Sequence, residues 1–219
     1  MSQFLAHVSS KRLVTRVIIS VALIGALCSA NVATAAPLVT GQTIYPAPGE
    51  PDPVGGQVAC GPLVAHFTTA TFSGVLTSTV IAGDASNPYG GLTFTYTVSN
   101  DASSVNVEAR LSVNGYSTSL TDASFQTPPS GVQPTYVDRP TADVVGFSFL
   151  GMPVGFGAIQ PGQQSSLLVI QTNSPVCTNS FASVIDGAVA TIPTYAPTPE
   201  PSALALLGLG AFALIRRRR

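Results

Sequence analysis

The chain has 219 residues, 45% hydrophobic and only 9% charged, with 9 Lys+Arg, 10 Asp+Glu, 2 His and no Trp, whereas a soluble domain usually carries about a quarter charged residues. The formal net charge of -1 divides unevenly: residues 1–35 hold Lys11, Arg12 and Arg16 and no acid, residues 36–199 hold two arginines against nine acids (a formal -7), and residues 200–219 hold Glu200 and four arginines. A central body without lysine cannot neutralise many phosphates, which excludes nucleic acid as a partner.

The first 35 residues read as a secretory signal peptide. Basic residues precede the apolar stretch Val17 to Cys28, and Ala33-Thr34-Ala35 places small residues before a cleavage point between Ala35 and Ala36. The apolar stretch is 12 residues, short of the ~20 that a membrane span needs. A lipoprotein reading fails because bulky Leu27 precedes Cys28, and the arginines are not paired for twin-arginine export. Residues 36–58 follow as an extended arm, since Tyr45 to Pro53 holds too many prolines for regular structure.

Residues 59–192 are predicted to form one antiparallel β-sandwich, with a closed β-barrel as the alternative. In Leu92 to Val98 large apolar residues alternate with threonines. In Val105 to Val113 the set Val105, Val107, Ala109, Leu111 and Val113 opposes Asn106, Glu108, Arg110 and Ser112. A period of two marks strands with one buried and one wet face. Asn114-Gly115 and Asp186-Gly187 are hairpin turns in this reading, because a type I′ turn needs φ > 0 at both central positions. Further strands are predicted at Leu63–Phe67, Val75–Ile81, Val144–Phe149 and Leu167–Thr172, and no segment has the 3.6-residue period of a helix.

Cys60 and Cys177 are the two cysteines left once the signal is removed, and an exported chain makes them a disulfide closing a loop of more than a hundred residues. The competing readings are two free buried thiols, or a cysteine nucleophile paired with His66. His66 alternates with Ala65 and Phe67, so it points away from them, towards solvent. No metal site, cofactor motif or catalytic residue emerges: one His and two oxidised Cys fall short of a zinc site, and Gly146 to Leu150 lacks the second glycine of G-x-S-x-G. Gly151 to Gly157 completes no dinucleotide fingerprint and reads as a loop. Acids at turn-like positions (Asp84, Asp101, Asp122, Asp186) are ordinarily structural.

The prolines of 193–202 keep a spacer extended and out of helix or sheet. After Pro199-Glu200-Pro201 come an apolar run at 203–215, read as a short transmembrane helix, and the basic tail Arg216, Arg217, Arg218 and Arg219. Thirteen apolar residues make a helix of about 20 Å, short for a ~30 Å hydrocarbon core, with arginine snorkelling and local thinning to close the gap. Four arginines hold the extreme C-terminus (216–219) in the cytoplasm.

Pro-Glu-Pro, apolar run and terminal arginine cluster, in that order, resemble a PEP-CTERM sorting signal. The resemblance covers only about the last 20 residues. It implies an exported chain of a Gram-negative bacterium, held briefly in the inner membrane until an exosortase cuts near Pro199–Pro201. Release to the cell surface or extracellular matrix would follow, often beside exopolysaccharide. For the body this leaves a non-enzymatic structural or interaction role first. A carbohydrate-binding module with a platform of Tyr89, Tyr96, Tyr116 and Tyr136 comes second, and a hydrolase with a carboxylate pair third.

Overall fold

The computed structural model describes residues 36–45, 47–151 and 157–198. The signal segment, Pro199-Glu200-Pro201, the apolar run and the arginine tail lie outside the described residues, as does most of the Gly151–Gly157 segment. The described chain is all β, without a helix. Its strands are β1 (Thr43–Ile44), β2 (Gly49–Glu50), β3 (Gln57–Thr68), β4 (Ser73–Ala82), β5 (Thr93–Asn100), β6 (Arg110–Asn114), β7 (Thr121–Gln126), β8 (Tyr136–Asp138), β9 (Val144–Ser148), β10 (Leu168–Thr172), β11 (Cys177–Asp186) and β12 (Ala188–Pro197).

Two six-stranded sheets form the sandwich, sheet I in the order β1-β8-β9-β6-β11-β12 and sheet II in the order β2-β7-β10-β5-β4-β3, and neither closes into a barrel. Every pair is antiparallel except β2 with β7. Period two explains the layering. Phe94, Tyr96 and Val98 of β5 and Leu76 and Val80 of β4 point inward from sheet II, meeting Leu111, Val113, Val145, Phe147 and Val184 of sheet I in one buried core. The disulfide between Cys60 of β3 and Cys177 of β11 ties the two sheets together across 117 residues of sequence.

Four local expectations are corrected. Asn114-Gly115 ends β6 without making a hairpin: the chain crosses from sheet I to sheet II, and Gly115 takes φ +105° so that Tyr116 enters the core. In Val105–Val113 only Arg110–Asn114 is strand; Val105 is 81% exposed and Glu108 only 1%. The cause is a lone bridge between Glu108 and Ile159, which turns the Glu108 side chain inward. The arm 36–58 is woven into both sheets through β1 and β2 and buries Leu38, Ala47 and Asp52. Pro193 and Pro197 lie inside β12, paired with Phe181 and Cys177. β12 is an edge strand, so a proline facing its open side loses no ladder bond.

Candidate functional site

The outward row of sheet I collects the exposed chemistry. Val137 is buried in β8, so Tyr136 and Asp138 on either side of it point outward. β1 pairs Thr43 with Asp138 and Ile44 with Val137, and the next residue, Tyr45, falls beside Tyr136. Their ring centroids are 5.0 Å apart, tilted by 32°, and Tyr45 is 69% exposed. Neighbouring strands bring Arg110 of β6 and Asp138 of β8 together across β9: Nη2 donates to Asp138 Oδ1 at 2.5 Å, and Nε donates to Ser112 Oγ at 2.9 Å. Gly146 of β9 makes this crossing feasible, because a Cβ there would overlap both the guanidinium and Asp138 Oδ1. The result is an aromatic pair flanked by a charge-neutral donor–acceptor pair.

The outer face of sheet II is roofed instead of open. Asp52 Oδ2 accepts from Ser124 Oγ at 2.6 Å, while Asp84 accepts from Val54 N at 2.8 Å and Thr93 Oγ1 at 2.7 Å. The arm and the β4–β5 loop thereby bury Thr93 and Thr95, threonines that alternation assigns to a wet face. Four carboxyl groups gather under this roof. Burial, then the charges of Asp52 and Asp122, push Glu50 up to about 7. Burial raises Asp52 and Asp122 as well, opposed in Asp52 by the Ser124 hydroxyl and in Asp122 by the Ala123 N–H. For Asp84 burial is outweighed by the hydroxyls of Ser86 and Thr93 and the N–H groups of Val54 and Ser86, which hold it low. The charged forms of Glu50 and Asp52 repel one another, so the titrations of the two are linked.

One of these acids is withdrawn from solvent. Asp52, itself part of the arm, is fully buried. A cavity of about 110 Å³ lies elsewhere, lined by Thr69, Thr71, Ser73, Ser104 and Val105 among others, without a carboxylate. Nor do three acids, cysteines or histidines group to hold a metal ion among the described residues. Glu108 is buried with neither carboxyl oxygen hydrogen-bonded, and burial, reinforced by Asp101, pushes it up to about 8.

The four tyrosines read as a platform do not assemble. Tyr96 and Tyr116 sit in the core, Tyr89 lies half-buried near Asp122 on the roofed side, and Tyr136 alone faces outward from sheet I. Its partner is Tyr45, which the proline-rich arm concealed from sequence reasoning. A signal for the error was present: Tyr96 shares strand parity with Phe94 and Val98. His66 is exposed between buried Ala65 and Phe67, as the alternation requires. Gly146 to Ser148 lies in strand β9, which is no nucleophile elbow.

From the final residue of the last strand onward, the PEP-CTERM protein-sorting motif matches residues 197–219. The chain carries a PEP-CTERM sorting signal. That signal marks an exported chain, sorted to the cell surface by an exosortase. The match begins at Pro197, the last residue of β12, and Thr198 N still donates to Val176 O at 3.0 Å. The sorting signal thus follows the folded body directly. No curated protein and no solved structure matches the chain.

Proposed function

We propose that the body is a non-catalytic interaction component of an extracellular polysaccharide matrix, delivered by its PEP-CTERM signal after transient anchoring in the inner membrane through residues 203–215. Its contact surface on this reading is the outer face of sheet I. The observation that carries the reading is the Tyr45–Tyr136 pair, two adjacent rings left largely outside the core. Solvent-facing aromatic rings are sites where the apolar faces of sugar rings lose water, while phenolic oxygens keep a hydrogen-bonding end. The burial of Asp52 favours binding over hydrolysis. Retention of the purified processed protein on exopolysaccharide from the producing cells tests this. Tyr45→Ala with Tyr136→Ala should reduce retention about tenfold, a loss of roughly 1.4 kcal/mol, and unchanged retention refutes the surface assignment.

A further inference from the structure

The same surface carries information about the charge of its ligand. We propose that the Tyr45–Tyr136 face takes an uncharged polysaccharide strand and rejects anionic ones, an inference that rests on the reading above. Residues 36–198 hold two cations only, Arg110 and Arg139. Arg139 is withdrawn from solvent: it is buried and donates to the carbonyls of Leu38, Tyr116, Ser119 and Ala142 and to Thr121 Oγ1. Arg110 is neutralised where it stands by Asp138 at 2.5 Å. A uronate, sulfate or phosphate group reaching this face therefore meets no free cation, on a body that carries nine acids. Such a body repels polyanions beyond contact range as well, over about a Debye length.

The geometry suits hydroxyls in place of acids. Arg110 Nη1 and Asp138 Oδ2 make no hydrogen bond to another described residue, and both side chains are partly exposed. A donor and an acceptor side by side match two adjacent sugar hydroxyls, one accepting from the guanidinium and one donating to the carboxylate. Tyr45 directly follows β1, Tyr136 lies on β8 and Arg110 on β6 of the same sheet. At roughly 4.8 Å between strands, a chain crossing from ring pair to ion pair stays on one face.

Affinity electrophoresis of the processed protein separates the outcomes. Native gels would carry a β-glucan, an α-glucan, a galactomannan or a polyuronate, all with EDTA so that no bridging cation contributes. At least one uncharged polymer should retard the protein, the polyuronate should not, and Tyr45→Ala should lower the affinity about tenfold. Asp138→Asn, which frees the Arg110 guanidinium, should add retardation by the polyuronate that salt abolishes. Tyr45-dependent retardation by the polyuronate alone would overturn the charge inference and leave the surface reading standing. Retardation that Tyr45→Ala does not alter would overturn the surface reading. Absence of retardation by every uncharged polymer, or no gain in Asp138→Asn, would overturn the charge inference.

Discussion

The phenolic oxygens of Tyr96 and Tyr116 lie 2.6 Å apart in the buried core, where sheet II meets the crossing that follows β6. Tyr96 spends its single hydroxyl proton on the Tyr195 carbonyl of β12 at 2.8 Å, so Tyr116 is the donor between the two rings. The chain of bonds makes the residues unequal. Tyr116→Phe removes one donor and leaves the Tyr96–Tyr195 bond intact, at a cost of about 1 kcal/mol. Tyr96→Phe strands both the Tyr116 hydroxyl and the Tyr195 carbonyl away from water, for about 2–4 kcal/mol. Thermal and urea unfolding of the two variants checks the order, and equal losses would contradict this bond direction.

Stability should fall as pH rises from acid to neutral. The folded-state pKa of Glu108 is raised to about 8 and that of Glu50 to about 7, from ordinary values of 4.5. An acid whose folded pKa is raised carries no penalty below its unfolded value. The penalty grows between the unfolded and folded values and is constant above them. The expected window is therefore pH 4.5 to about 8, with a loss on the order of a few kcal/mol from buried Glu108. Glu108→Gln should flatten the profile across that window and stabilise the protein at pH 8. An unchanged slope in this variant would refute the assignment.

Much of this architecture is legible from local pattern, because most strands bury one face and keep period two. Leu76 and Val80, or Phe94 and Val98, announce their side without help from the rest of the chain. The sorting signal is legible for a similar reason, since its parts are contiguous in sequence. Long-range contacts decide what was hidden. Glu108 breaks its alternation because Ile159 bridges to it from a distant segment, and the arm is buried because Asp52 meets Ser124, 72 positions away. The ring pair on sheet I is formed by Tyr45 and Tyr136, brought together only by the β1–β8 register. No periodicity within either segment encodes that meeting.

Arg139 should tolerate no substitution, including lysine. Its guanidinium reaches five acceptors on three stretches of chain, with Leu38 O at 2.9 Å, Thr121 Oγ1 at 2.6 Å and Tyr116 O at 2.7 Å among them. A lysine ammonium is a compact charge that cannot span this fork, so Arg139→Lys leaves several buried acceptors unpaired. A loss of at least about 3 kcal/mol follows, which lowers the melting temperature by roughly 6–12 °C for a domain of this size. A shift within about 2 °C would show that the carbonyls find other donors.

The disulfide Cys60–Cys177 should contribute through the unfolded state more than through contacts. It links positions 117 apart, and closing so long a loop is worth up to about 4–5 kcal/mol in the chain-entropy model. Reductant should lower the unfolding midpoint of the native protein by this order and leave a Cys60→Ala/Cys177→Ala double variant unmoved. Equal sensitivity of both proteins to reductant would locate the effect elsewhere.

Processing should depend on Pro199-Glu200-Pro201 yet leave the folded body untouched. The body's ladder closes at Cys177–Pro197, and Thr198 still donates to Val176, so these three residues follow in sequence the last contact among the described residues. Replacing all three with alanine should therefore preserve the unfolding midpoint of the body. Maturation should stop, and the full-length chain should accumulate in the membrane fraction, where immunoblotting against the body distinguishes precursor from processed protein. Normal maturation of the triple-alanine chain would refute the role of the motif. Failure to mature together with a lowered midpoint would instead mean that the substitution acts by unravelling β12.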